Sequence, residues 1–147
     1  MRPWPSESQI MSENGSIMNG SNGSARRSFK LMIVDDSNIM RRRIERSQQF
    51  DELELIGTAG NGLEALELFR KADPDVVTMD LTMPQMDGIE CISKLVELKP
   101  AIRILVISAL ADKATAVEAM EKGANGFLNK PFTDRQLNEA IADLIRE

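Results

Sequence analysis

The segment VVTMDLTMPQMDG, residues 76–88, joins an apolar run to a single carboxylate and then to a loop. The run from Val76 to Met79 is short and contains β-branched residues, which is typical of a buried strand. Asp80 follows the run directly, and Pro84 and Gly88 then interrupt the pattern. A charged side chain at the end of a buried strand can reach solvent while its backbone stays anchored. Asp80 is therefore the first candidate for a functional residue.

The same alternation of an apolar run and a segment with helical spacing occurs five times after residue 28. The predicted strands are residues 29–34, 53–59, 75–79, 102–108 and 126–129. Thr133 and Gln136 form a capping-box pattern at the start of the last predicted helix. Uninterrupted apolar strands that alternate with helices indicate a parallel sheet covered on both faces. We therefore predict a doubly wound α/β fold of five βα units.

Composition limits the classes of function that the chain can have. With 147 residues, of which 42% are hydrophobic, the chain suits one domain with a full core. Its net charge of −5 argues against general binding to nucleic acid or to an anionic membrane, because both attract basic proteins. The sequence has no histidine and a single cysteine, Cys91. These counts exclude histidine-based general base catalysis, typical zinc sites and an internal disulfide.

The first 27 residues differ in composition from the rest of the chain. They carry three Asn-Gly-Ser triplets, which begin at Asn14, Asn19 and Asn22. A segment so rich in Gly, Ser and Asn buries too little apolar surface to offset the entropy lost on ordering. We predict a flexible tail over residues 1–27 and one domain over residues 28–147. The sequence contains neither a signal-peptide pattern nor a membrane-spanning run, so we expect a cytoplasmic protein.

Polar residues follow four of the five predicted strands at the point where each strand ends. Asp35 and Asp36 follow the first strand, Asp80 the third, Ser108 the fourth and Lys130 the fifth. Because ligands of such sheets bind at the carboxyl ends of the strands, we expect these side chains to converge. Three carboxylates at one edge repel one another unless a cation lies among them. A hard divalent ion such as Mg²⁺ would relieve this repulsion.

These residues resemble the receiver domains of two-component response regulators. Four motifs occur in the order and at the approximate spacing of that family: VDDS at 34–37, MDLTMPQMDG at 79–88, SA at 108–109 and KPF at 130–132. The resemblance covers residues 29–147 and implies the flavodoxin-like strand arrangement. No predicted DNA-binding output domain follows the fifth helix, so the resemblance is to stand-alone chemotaxis-type receivers.

The resemblance implies a role for each residue of the site. Asp80 would be the phospho-acceptor. Asp36 and Asp80 would ligate Mg²⁺ directly, with Asp35 acting mainly through water and the backbone carbonyl of Thr82 completing the protein ligands. Lys130 would pair with the phosphoryl group.

Two further residues are implied to form a switch. Ser108 would respond to the phosphoryl group, and Phe127 would be the aromatic residue that moves with it. Many chemotaxis receivers carry tyrosine at the position of Phe127, so this chain lacks the phenol hydroxyl there.

The predicted function is a phosphoryl-accepting signalling switch rather than an enzyme. A histidine kinase or a histidine phosphotransfer protein would donate the phosphoryl group, and an unidentified downstream protein would respond, the flagellar motor switch being one candidate. A phosphorelay carrier without its own output is an alternative. A small Mg²⁺-dependent aspartyl-phosphate phosphatase is another, although such enzymes typically have an acid two residues after the nucleophile, where this chain has Thr82. Gly57, Gly60 and Gly62 give only a weak indication of a nucleotide-binding module.

Overall fold

The computed structural model describes residues 28–109 and 112–146. The predicted tail, residues 1–27, lies outside this part of the chain. The strands are β1 (Phe29–Val34), β2 (Leu53–Ala59), β3 (Val76–Met79), β4 (Arg103–Ser108) and β5 (Gly126–Asn129). The helices are α1 (Asn38–Ser47), α2 (Gly62–Ala72), α3 (Gly88–Leu98), α4 (Lys113–Glu121) and α5 (Asp134–Ile145).

The five strands form one parallel sheet in the order β2-β1-β3-β4-β5. The strands β3 and β4 are buried along their whole length, as their uninterrupted apolar sequences predict. Both strands begin one residue later than predicted. Asp75, directly before β3, accepts the N–H of Lys30 with its carboxylate at 2.9 Å and donates its own N–H to the carbonyl of Lys30 at 2.8 Å. The predicted doubly wound α/β fold is confirmed.

Helices cover both faces of the sheet and build two separate cores. The first core joins the sheet to α2, α3 and α4, through residues such as Phe69, Leu95 and Ala119. The second core joins the opposite face to α1 and α5, and it contains Ile44 and Leu137. Each fully buried Leu, Ile or Phe side chain stabilises the fold by about 1.5–3 kcal/mol. The cores thus hold the sheet rigidly and leave its carboxyl edge for the site.

Every helix begins at a side-chain cap. The N-caps accept a hydrogen bond from a backbone N–H of the first turn, and they are Ser37, Asn61, Asp87, Asp112 and Thr133. Thr133 and Gln136 complete the predicted capping box. The second helix ends at Asp73, which adopts the left-handed conformation with a φ of 52°, and Gly123 follows the fourth helix with a φ of 120°.

The fourth helix is the least anchored of the five. Ala119 is its one buried side chain, and Val117 and Met120 are 45% and 42% exposed. A helix that buries a single alanine gains little free energy from packing. Across the described ranges, no helix is long and apolar enough to span a membrane.

Candidate functional site

The three predicted carboxylates meet at the carboxyl edge of the sheet. Val34 and Met79 are paired in register on β1 and β3, so the residues that follow them leave the sheet side by side. The N–H of Asp80 donates to the carbonyl of Val34 at 2.9 Å and ties the two strand ends together. Oxygen atoms of Asp35, Asp36 and Asp80 lie within 4.8 Å of one another.

Asp35 and Asp36 are neighbours in sequence but have different surroundings. Asp35 is buried, and its Oδ1 accepts the N–H of Ser37 at 2.9 Å while its Oδ2 accepts the ammonium of Lys130 at 2.8 Å. Both of its oxygens are therefore engaged by protein donors. Asp36 is exposed, so its carboxylate faces solvent at the mouth of the site.

Asp80 is a buried carboxylate with incomplete compensation of its charge. Its Oδ1 accepts the N–H of Thr82 at 3.3 Å and lies 3.8 Å from the ammonium of Lys130. Burial raises the pKa of Asp80 above its ordinary value; the ammonium of Lys130 opposes this shift, and the negative charge of Asp35 adds to it. The carboxylate is thus less stable as an anion here than in water, and an added cation would stabilise it.

Lys130 reaches the carboxylates from the loop that follows β5. Its N–H donates to the carbonyl of Ser108 at 3.0 Å, which anchors the loop to β4, and its side chain is 17% exposed. The peptide bond between Lys130 and Pro131 is cis. The ammonium lies 2.8 Å from Asp35, which follows β1, and 3.8 Å from Asp80, which follows β3. It therefore bridges the ends of two neighbouring strands.

Gly88 lets α3 begin directly against the backbone of the site. A Cβ atom at this position would lie 2.3 Å from the carbonyl oxygen of Asp80 and 2.6 Å from the Cα of Leu81. Real Cβ atoms do not approach so closely, so only glycine fits. The first turn of α3 therefore supports the chain that carries Asp80.

The two predicted switch residues lie on the neighbouring strands β4 and β5. Ser108 is fully buried at the end of β4 and is paired in register with Asn129 of β5. Phe127, two residues earlier on β5, is partly buried and packs against the first core, on the side of α4. Ser108 thus lies at the carboxyl edge of the sheet, and Phe127 contacts the core that includes Ala119 of α4.

The donor set fits a hard divalent cation. All three groups are carboxylates, the ligand type that Mg²⁺ prefers. In the described part of the chain, Lys130 is the one cation that forms ion pairs with them. Asp36 and Asp80 have ligand atoms that the protein donors do not fully engage, whereas Asp35 is committed to Ser37 and Lys130. This distribution fits a metal held by Asp36 and Asp80, with Asp35 acting through water.

Two arginines of α1 contact the site although sequence reasoning did not select them. Arg41 donates from Nη1 to the backbone carbonyl of Asp35 at 2.5 Å. Arg43 donates from Nη2 to the carbonyl of Phe132 at 2.7 Å, in the loop that carries Lys130. They belong to a run of three arginines, a pattern that is typical of a solvent-exposed helix face. Arg42, which lies between them, is exposed.

Comparison with known proteins identifies the class to which this fold and site belong. The response regulator receiver domain family matches residues 31–142. The chain therefore belongs to the response regulator receiver family, and its relatives act in two-component signalling.

Individual relatives agree with this assignment. The chemotaxis protein CheY of Listeria monocytogenes is 38% identical over 113 residues, which cover 77% of this chain and 95% of that protein. A protein-glutamate methylesterase/protein-glutamine glutaminase of Photobacterium profundum is 44% identical over 119 residues, which cover 77% of this chain and 30% of that protein. A chain of the CheX–CheY–BeF3–Mg complex from Borrelia burgdorferi superposes with a TM-score of 0.79 at 30% identity, over 87% of this chain and 97% of that one.

Proposed function

We propose that this receiver accepts a phosphoryl group on Asp80 and thereby changes its affinity for a protein partner. The observation that carries the proposal is the setting of Asp80, a buried carboxylate with a raised pKa that lies between one ammonium and two further carboxylates. Such a group gains most from a cation and has nucleophilic oxygens at the solvent edge of the sheet.

In the proposed step, an Oδ of Asp80 forms a bond to phosphorus while the bond from phosphorus to the donor breaks. The donor, a phosphohistidine of a kinase or phosphotransfer protein, keeps the electron pair of the broken bond. Bound Mg²⁺ would supply charge neutralisation for the phosphoryl oxygens and for Asp80. Lys130 would leave Asp35 to contact a phosphoryl oxygen, a shift that its flexible side chain permits.

The neighbouring residues have supporting roles in this proposal. Asp36 and Asp80 would hold the metal directly, together with the backbone carbonyl of Thr82, and Asp35 would contribute through water. The N–H of Thr82 already donates to Asp80 and orients the carboxylate. Positioning and electrostatic stabilisation, rather than proton transfer, would account for the rate.

The proposed output passes through Ser108 and Phe127 to α4. A phosphoryl group adds charge and acceptor oxygens beside the end of β4, where Ser108 is buried. Movement of Ser108 would make room for Phe127, and the surface of α4, β5 and α5 would change with it. The complex of CheX with CheY from Borrelia burgdorferi is a precedent for a protein partner.

The phosphatase alternative has no support at the relevant position. Aspartyl-phosphate phosphatases typically place a second acid two residues after the nucleophile, and Thr82 offers a hydroxyl in an exposed loop instead. The proposed activity is therefore one phosphoryl transfer per molecule rather than repeated turnover.

Labelling with a small phosphodonor tests the proposal. Acetyl phosphate or phosphoramidate with Mg²⁺ should add one labile phosphoryl group, seen by intact mass spectrometry, and Asp80→Asn should abolish the addition without unfolding the protein. Labelling of the folded Asp80→Asn variant would move the acceptor to another residue. Release of many phosphates per protein from phosphate esters would favour the phosphatase.

A further inference from the structure

The loop that carries Lys130 is fastened to the first helix by one arginine. Arg43 of α1 donates from Nη2 to the carbonyl of Phe132 at 2.7 Å and lies 3.3 Å from Oδ1 of Asp134. Its guanidinium carbon also lies 4.5 Å from the centre of the Phe132 ring. One planar group thus contacts the backbone and the ring of Phe132 in the loop and the acid that begins α5.

The middle of this loop is held by Arg43 together with the second core. At one end, the N–H of Lys130 donates to Ser108 on β4. At the other end, Thr133 and Gln136 form the capping box of α5. Between them, Phe132 is buried in the second core, and Arg43 holds both its ring and its carbonyl. Only Pro131 separates Phe132 from Lys130.

We infer that Arg43 is a positioning residue for Lys130 in the reaction proposed for Asp80, so this inference rests on the proposed function. Arg43 touches none of the reacting groups. It acts by holding Phe132, which determines where the backbone of Lys130 lies and therefore where the ammonium meets Asp35 and Asp80. A shift of about 1 Å in such a group can cost up to a hundredfold in rate.

The contacts of Arg43 differ in their expected importance. The ion pair with Asp134 joins side chains that are 34% and 60% exposed, so solvent screens it and its contribution is small. The hydrogen bond to the Phe132 carbonyl is assisted by charge, and the stacked guanidinium contacts a buried ring. The Phe132 contacts, rather than the salt bridge, should therefore carry the positioning.

The chain offers matched controls on the same pair of helices. Arg42 is an exposed neighbour of the same charge, so Arg42→Ala controls for the lost positive charge near the site. Asn138 of α5 also links to α1, since it donates to the carbonyl of Ser47 at 2.9 Å and accepts the N–H of Gln49 at 2.8 Å. Asn138→Ala thus weakens the contact between the two helices at a point remote from Lys130.

The test measures the rate of labelling by phosphoramidate at several Mg²⁺ concentrations. We expect Arg43→Ala to lower the rate at saturating Mg²⁺ by about tenfold, while the Mg²⁺ concentration for half-maximal rate stays within about twofold, because no proposed metal ligand is touched. Arg42→Ala, Asn138→Ala and Asp134→Asn should label at nearly the wild-type rate. Arg43→Lys keeps the charge but loses the planar stacking group, so it should fall between wild type and Arg43→Ala.

A double-mutant cycle shows whether Arg43 acts through Lys130. In a Lys130→Ala background, we expect Arg43→Ala to change the residual rate by less than about twofold, because the group that it positions is gone. Circular dichroism shows whether each variant is folded. If Arg43→Ala does not fold, Arg43→Lys replaces it in the comparison.

Two outcomes would overturn the inference while leaving the proposed function intact. In the first outcome, Lys130→Ala is labelled more slowly than wild type, but Arg43→Ala is labelled at the wild-type rate. The other is an equal loss of rate in Arg43→Ala and Asn138→Ala, which would assign Arg43 a structural role only. A Lys130→Ala variant that labels at the wild-type rate would instead contradict the proposed role of Lys130 itself, and the inference would fall with it.

Discussion

Asp80 places a carboxylate at a buried position, where an anion is less stable than in water. Water stabilises a carboxylate anion, but Asp80 is buried, and Lys130 approaches Asp35 more closely than it approaches Asp80. The folded protein therefore holds this group at a cost in free energy, which is typical of sites that bind a charged ligand.

Replacing Asp80 by asparagine should stabilise the protein in buffer that contains a chelator. The folded state raises the pKa of Asp80 above that of the unfolded chain, so the contribution of this group to stability falls as the pH rises through the folded-state pKa. We expect Asp80→Asn to melt a few degrees higher than wild type at neutral pH. The difference should vanish as the pH falls below the ordinary pKa of an aspartate.

Paired thermal melts across this pH range measure the effect, with the exposed Asp51→Asn as the control for a lost negative charge. Equal melting temperatures of wild type and Asp80→Asn at neutral pH would show that the buried anion is fully compensated.

The exposed Asp36 is the residue through which metal affinity should be most easily changed. Asp36→Ala removes one anionic ligand of the proposed site, so the Mg²⁺ concentration needed for half-maximal labelling should rise by about an order of magnitude or more. The same change removes a repelling charge and should raise the melting temperature in metal-free buffer. Unchanged Mg²⁺ dependence in labelling assays would place the metal elsewhere.

The residues that the sequence reveals are those that follow strand ends. The rule that parallel strands present ligands at their carboxyl edge selected Asp35, Asp36 and Asp80, and the structure brings them together. This rule does not select Arg41 and Arg43, because they lie in a run of three arginines and the sequence does not show which of these side chains turn inward. Which of these side chains faces solvent depends on how α1 is rotated about its axis relative to the sheet, and this rotation leaves Arg42 exposed.

Helices and strands could be predicted because their sequence patterns involve residues that are close together in the chain. Caps, left-handed residues and apolar runs depend on a few neighbouring residues, and the five strands begin within one residue of their predicted starts. Two strands begin one residue later than predicted, at Val76 and Arg103. The sheet is held by hydrogen bonds between segments that are distant in sequence, such as the one from the N–H of Asp75 to the carbonyl of Lys30. Such contacts leave no periodic signal.

The weak anchoring of α4 makes it the element most able to respond to a phosphoryl group. We expect partner binding to prefer the phosphorylated form by about 1–3 kcal/mol, a typical coupling between two sites. Ser108→Ala should reduce this preference without preventing phosphorylation of Asp80. Titration of an identified partner with the protein, with and without the phosphoryl mimic beryllofluoride, measures the coupling. An undiminished difference in Ser108→Ala would remove Ser108 from the switch.

For the whole molecule, the alternation of elements predicted the architecture but not the order of the strands. Periodicity shows that strands are buried and parallel, whereas the order β2-β1-β3-β4-β5 depends on contacts between distant segments. This order is that of the flavodoxin-like arrangement, which the resemblance to receiver domains implies. The division into two cores likewise follows from the crossovers, because α2, α3 and α4 cover one face of the sheet and α1 and α5 cover the other.

Deletion of residues 1–27 should leave the domain intact. Residues of the described ranges 28–109 and 112–146 build both cores, and the composition of the first 27 residues predicts little burial. We expect the melting temperature and the labelling rate to stay close to those of the full chain. Calorimetry and the phosphodonor assay measure both, and a shift of several degrees would show that the segment packs against the domain.

The position of β1 between β2 and β3 affects the chain as it leaves the ribosome. The first three strands are neighbours in the sheet, so this half can assemble before the rest is synthesised. The carboxylates of Asp35, Asp36 and Asp80 then gather early, whereas Lys130 emerges after all three of them. During synthesis the nascent domain therefore carries its repelling charges without the ammonium that bridges two of them, and the edge of β3 stays uncovered until β4 arrives. A pause in translation between residues 80 and 103 would prolong this interval and expose the strand edge to aggregation.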